Sequence, residues 1–413
     1  MLDLLIKKIK TLNGLEADVL IGEGRFETIG KNIRARTKKI IDGRGQMILP
    51  GFFNLHSHAA MTLLRGYAED IKLNDWLTKK IWPREAKLTA DDVYWGTKLA
   101  CYEMLKSGTV CFNDMYWHPE AALEAIKETG LRAFVGLMMA DNHPLGLGSC
   151  SAVEKNWQKL KNRQTEKIKL TLTPHAIYTV SPKSLKWAAN FARKNNLLIH
   201  FHLSETKKEI DDCLKKHGQR PVEYLEKIGW LGPNVILAHS VWLNEKEIKI
   251  LARRQCSVVY NPTSNMKLGS GIMPFSLMKK SGLNICLGTD GAASNNNLDM
   301  IEEMKIGGLL QKLNGQRAIS AADLFNAATR NGARALGLKN GQIKPGAPAD
   351  FILINTERLD FLPGFDSLND LVYSAAAECV EAVAVKGEIL MKNREIKGEK
   401  ELFREIKKRY AKK

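Results

Sequence analysis

Eight short apolar runs along the middle of the chain constrain its fold more than any other feature. They are residues 52–55, 109–112, 133–139, 170–173, 197–201, 235–238, 257–260 and 285–288. Most are separated by stretches with 3.6-residue spacing, as in Val93, Tyr94, Leu99, Met104 and Leu105. Eight strands alternating with helices over about 290 residues match an α/β chain closing as a (β/α)8 barrel. A doubly wound open sheet is the alternative. It needs a glycine-rich phosphate turn after an early strand, and none is present. Gly146-Leu147-Gly148 does not lead from a strand into a helix in the required way. Before the first run, strands are predicted over 2–6, over a run ending Val19-Leu20-Ile21, and over a run reaching Ile40-Ile41, with Gly22, Gly24 and Asp42-Gly43 as breaks. After the last run, 350–354 and 380–385 read as strands and 402–410 as a charged helix.

Composition narrows the function classes. The 413 residues include 62 Lys plus Arg and 45 Asp plus Glu, a net charge of +17. That excess invites a nucleic-acid partner. The basic clusters are short, however, as in Lys7-Lys8 and Lys407-Lys408-Arg409, and acids interleave nearly everywhere else. Solvated helix faces explain this pattern, so no nucleic-acid partner is expected. The seven cysteines (101, 111, 150, 213, 256, 286, 379) are scattered without a CxxC pair. Reduced thiols in a cytoplasmic protein are expected, with neither a disulfide framework nor a cysteine zinc site. Neither a signal peptide nor a membrane span is read, so no membrane partner is expected.

The polar residues at the ends of the predicted barrel strands carry the chemistry. His56 and His58 follow the first run and share one face by the two-residue strand period. Two imidazoles so placed can share a metal ion. His200 and His202 end the fifth run, with Glu205 three residues on; His239 ends the sixth; Asp290 follows the eighth. Any one of these alone reads more readily as a satisfied strand-end histidine or a turn aspartate. Jointly, five of the chain's nine histidines gather with two carboxylates on the face where barrels hold their active sites. Imidazole and carboxylate without cysteine suit an open, catalytic metal site.

Longer segments surround these residues: Pro50-Gly51-Phe52-Phe53-Asn54-Leu55-His56-Ser57-His58, Thr62-Leu63-Leu64-Arg65-Gly66, His202-Leu203-Ser204-Glu205-Thr206, Asn261-Pro262-Thr263-Ser264-Asn265-Met266-Lys267-Leu268-Gly269 and Gly288-Thr289-Asp290-Gly291-Ala292-Ala293-Ser294-Asn295-Asn296. With them the chain resembles, over essentially its full length, the amidohydrolase superfamily. The branch resembled is that of the 5-methylthioadenosine/S-adenosylhomocysteine deaminases and related adenosine-type deaminases and chlorohydrolases. The resemblance implies a barrel (51–345) beside a small β-sandwich made by both chain ends (1–50 and 346–413, the latter with the C-terminal helix). It implies one divalent metal ion, usually zinc and sometimes iron, held by His56, His58, His202 and Asp290. Water activated there would attack the amino-bearing ring carbon and release ammonia. Asp290 would take the water's proton, His239 would orient the water, and Glu205 would carry a proton to the neighbouring ring nitrogen. His175 would bond the purine and Glu85 the ribose hydroxyls. A small aminated heterocycle as substrate and a homo-oligomer are implied as well.

Four features depart from the family pattern. Family members grip the homocysteine carboxylate with arginines near the third strand, but residues 134–153 contain neither Arg nor Lys, and Arg132 sits at the strand's wrong end. Methylthioadenosine, adenosine or 5-deoxyadenosine therefore fits better than S-adenosylhomocysteine. Tyr260, Trp242 and Ile177 replace residues common in relatives and are expected near the pocket. His200 is expected behind the ligands, and Trp76 and Trp82 in pocket walls. Another ring substrate, such as a pterin, guanine or triazine, and a metal-free binding protein are the alternatives.

Overall fold

The computed structural model describes residues 2–141, 148–315 and 319–410. His143 and Gly146-Leu147 lie outside the described residues. The eight apolar runs form eight strands: Phe52–Ser57, Thr109–Asp114, Arg132–Met139, Ile168–Pro174, Ile199–Leu203, Val235–His239, Ser257–Tyr260 and Asn284–Leu287. They pair in parallel in chain order. Strands covered on both faces need no polar alternation, which is why they read as unbroken apolar runs. The two outer strands meet through side chains and a loop. Asn54 donates to Thr289 Oγ1 at 2.7 Å, the Thr289 amide donates to Asn54 Oδ1 at 3.0 Å, and the Asp290 amide donates to the His56 carbonyl at 2.9 Å. This nearly closes the barrel at the end where the histidines sit. Helix starts on the return path are fixed by side chains accepting from backbone amides, among them Thr89, Ser149, Ser181, Thr206 and Asn244.

The chain ends build a second sheet of nine strands, joined where Gln46–Pro50 pairs antiparallel with Phe351–Asn355. Phe351 and Phe26 are separated by four strand steps in this sheet, which a flat sheet would hold about 19 Å apart. Their ring centroids lie 6.0 Å apart. The sheet therefore rolls over its own core, which includes Leu4, Ile6, Val19, Ile21 and Leu353. Sequence reading missed Arg25–Gly30, Gln46–Pro50, Glu388–Lys392 and Glu395–Ile396. Three of these are short strands with largely exposed faces, which leave little apolar periodicity to read. The C-terminal helix starts slightly earlier than expected, at Glu399–Tyr410.

Arg132 is explained by the junction of the two units. It is 2% exposed, and its Nε lies 3.0 Å from Asp350 Oδ2, itself on a residue 1% exposed. Its Nη1 donates to the Glu166 carbonyl at 2.8 Å. The arginine thus ties the start of the third barrel strand to the terminal sheet and does not face the histidines. Arg132→Ala strands a buried carboxylate, and urea unfolding is expected to show a loss of about 3–5 kcal/mol. An unchanged midpoint would mean that the junction carries no such load.

Candidate active site

The strand period delivers the expected cluster. His56, His58, His202, His239 and Asp290 are all buried at the C-terminal end of the barrel. Asp290 Oδ1 lies 3.2 Å from His56 Nε2 and 3.3 Å from His58 Nε2, and His58 Nε2 lies 3.3 Å from His202 Nε2. His239 and Asp290 hold left-handed backbone, with φ of 67° and 63°. For residues other than glycine that conformation is costly and gathers at functional sites.

The outward nitrogens of these rings show what the inner ones face. His58 Nδ1 lies 2.6 Å from the Met115 carbonyl and His202 Nδ1 lies 2.7 Å from the His175 carbonyl. A carbonyl only accepts, so each Nδ1 carries the proton and each neutral ring presents a bare lone pair at Nε2. Two such lone pairs then face each other and a carboxylate. His56 Nδ1 is bonded to His200 Nε2 at 2.9 Å, which leaves the buried His56 Nε2 facing Asp290 Oδ1. Burial pulls His56 down to about 3 and holds His58 and His202 below the usual imidazole range, which keeps the rings neutral. Burial alone would raise Asp290, but the hydrogen bond from His56, the largest opposing cause, and the charge on His239 hold its carboxyl well below the ordinary carboxylate range. Converging lone pairs around one carboxylate are a donor set for a cation, and the residues fit a divalent metal ion.

The remaining expected residues line the same cavity. Glu205 Oε2 is 3.9 Å from His239 Nε2, and burial raises the Glu205 carboxyl above its usual range. His239 Nδ1 lies 2.8 Å from Asn265 Oδ1. Burial lowers its basicity, but Glu205 and Asp290 outweigh that and raise it. Glu85 is 7% exposed and thus not the solvated helix-end residue its sequence position permits. Burial pushes it up to about 7 although Tyr116 pulls the other way. His175 lines the wall beside it, with Nδ1 2.9 Å from Thr179 Oγ1. Trp76, Trp82, Leu73, Leu77, Met138 and Leu268 complete the apolar walls, with no Lys or Arg among the described lining residues.

Other positions lie outside the cavity. Tyr260, Trp242 and Ile177 do not line the cavity. Tyr260 is fully buried behind the seventh strand and bonded to Gln311 at 3.0 Å. Neither His118 nor His217 lines the cavity, and His217 stacks on Tyr224 with ring centroids 4.1 Å apart. Sequence reading gave no role to Ser264 and Ser294, which donate to Asp290 Oδ2 at 2.6 and 2.9 Å. It also passed over Asn265 and Ser270. All four lie in or next to quoted segments, so their place beside known site residues was the available signal. Tyr116 carried no such signal.

Comparison with known proteins agrees with this geometry. The sequence model of the amidohydrolase family matches residues 47–390. A 5'-deoxyadenosine deaminase of Methanoregula boonei is 46% identical over 385 residues, covering 91% of this chain and 86% of the relative. A 5-methylthioadenosine/S-adenosylhomocysteine deaminase of Archaeoglobus fulgidus is 46% identical over 400 residues, covering 94% of each. Among solved structures, an adenosine deaminase from Xanthomonas campestris with bound zinc superposes with a TM-score of 0.94 at 31% identity, covering 100% of this chain and 99% of that one. With its barrel, its buried donor set and a family match over most of its length, the chain belongs to the amidohydrolase family as a hydrolytic aminohydrolase.

Proposed function

We propose that the chain deaminates adenosine-like nucleosides: 5′-deoxyadenosine, methylthioadenosine or adenosine, with S-adenosylhomocysteine a poorer substrate. One observation carries this reading. A single cavity holds Glu205 and Asp290 with the histidines, and a buried Glu85 as well, while none of its described lining residues is a Lys or Arg. The names of the relatives support the nucleoside class.

In this reading His56, His58, His202 and Asp290 hold one divalent ion, zinc first and iron second. When bound, such an ion lowers the pKa of a coordinated water from 15.7 to about 7. The protein's own groups do the rest. Asp290 accepts the proton of the attacking water. His239, fixed by Asn265, orients that water. Glu205 delivers a proton to the ring nitrogen beside the attacked carbon. His175 bonds the purine, and Glu85 accepts from the ribose hydroxyls. The same proposal places the chain in the cytoplasm as a homo-oligomer. It divides the chain at 1–50, 51–345 and 346–413. No helix among the described residues is long and apolar enough to cross a membrane.

Discrimination against a carboxylate tests the substrate. The kcat/KM for methylthioadenosine is expected to exceed that for S-adenosylhomocysteine at least about tenfold, because no described residue lining the site cavity is a Lys or Arg, and Lys72, Lys207 and Lys208 border only the adjoining cavity. Equal values would remove the basis for ranking it lower.

Glu85 gives a pH test. Its carboxyl is raised to about 7, so it is protonated below that pH and ionised above it. Only the ionised form accepts from two hydroxyls. The KM for a nucleoside should rise as pH falls below about 7, and Glu85→Gln should flatten that limb while leaving a high KM throughout. An unaltered limb in the variant would assign it to another group.

A further inference from the structure

Trp242 lies outside the cavity, where it is 40% exposed. Its bonds nevertheless lead into the site. Its backbone amide donates to the Ser204 carbonyl at 2.9 Å, on the residue preceding Glu205. Its indole Nε1 donates to the Ser270 carbonyl at 2.7 Å. Ser270 is 2% exposed, and its hydroxyl donates to Glu205 Oε1 at 3.1 Å. The four residues thus form a closed ring of covalent and hydrogen bonds that runs from Glu205 through Ser204, Trp242 and Ser270 back to Glu205.

The backbone on the serine side has little freedom. The Ser270 amide donates to the Asn265 carbonyl at 2.8 Å. Gly271 has φ of +125°, and a Cβ there would come within 2.9 Å of Val241 and 3.4 Å of Trp242 Nε1. The loop therefore packs backbone against the indole, and only glycine permits that approach. Both oxygens of Glu205 are then accounted for: Oε1 is held by Ser270, and Oε2 faces His239.

We infer that Ser270 and Trp242 are positioning residues for Glu205, acting as one strut that fixes which carboxylate oxygen faces the substrate. Neither touches the reacting atoms. Ser270 aims the carboxylate, and Trp242 acts only through Ser270. The inference rests on the role proposed for Glu205.

A double-mutant cycle tests it. Ser270→Ala removes one hydroxyl at a buried site. Trp242→Phe removes one N–H and keeps an aromatic ring at a partly exposed one. The substrate is adenosine or, should no nucleoside be turned over, whichever aminated heterocycle the wild-type chain hydrolyses, so failure of the proposed substrate class is seen separately. Ser270→Ala is expected to lower kcat about tenfold with KM within about twofold, a part of the 10²–10⁴ that a general acid supplies. Trp242→Phe is expected to lower kcat about threefold. The double variant should match Ser270→Ala alone, because both changes break the same strut. Metal content should equal that of the wild type in all three. Multiplying effects overturn the inference, as does a Ser270→Ala kcat within twofold of wild type or a Trp242→Phe variant indistinguishable from it. Loss of metal in Ser270→Ala also overturns it, since the serine would then support the ligand set instead.

Discussion

Replacing Glu205 by glutamine is expected to lower kcat about 10²–10⁴-fold while leaving metal content intact. The two side chains have nearly the same shape, so packing and the bond from Ser270 survive. Glutamine cannot carry a proton between water and a ring nitrogen. Burial raises the Glu205 carboxyl above its ordinary range, and it lies 3.9 Å from His239. Steady-state ammonia release, with metal measured on the same samples, gives the answer. A Glu205→Gln enzyme within a few-fold of wild type would mean that another group protonates the ring.

Removal of the metal is expected to have the second large effect. Treatment with a chelator should abolish turnover and lower the thermal midpoint by several degrees, and added zinc should restore both. The stability change follows from linkage. A ligand present at 100–1,000 times its dissociation constant stabilises the native state by about 2.7–4.1 kcal/mol. The site gives a further reason. Without a cation, the lone pairs of His58 and His202 face each other at 3.3 Å beside an ionised Asp290. Asp290→Asn should reproduce most of the activity loss. A chelated protein that melts and turns over like the untreated one contradicts the donor-set reading.

Much of this molecule was legible before any coordinates. The barrel strands were, because burial on both faces writes them as apolar runs. The clustering of His56, His58, His202 and Asp290 was, because a strand places residues i and i+2 on one face and the chain has few histidines to spare. The supporting bonds were not. That the Met115 and His175 carbonyls fix two imidazole tautomers is a fact of backbone position, which no residue type announces. Glu85 could be matched to a role but not shown to be buried. Tyr260 and Trp242 were expected near the pocket; the first turns into the core, and the second reaches the site only through the Ser270 loop. Arg132 was rightly set aside from the site, and its partner Asp350, 218 residues away, appears only in the fold.

The most direct measurement is ammonia release by the metal-loaded protein from a panel of ribosylated adenines set beside guanine, pterins and triazines. Turnover of 5′-deoxyadenosine, methylthioadenosine or adenosine, with little or none from the free bases and triazines, is the expected result. Turnover confined to the rings without ribose would contradict it.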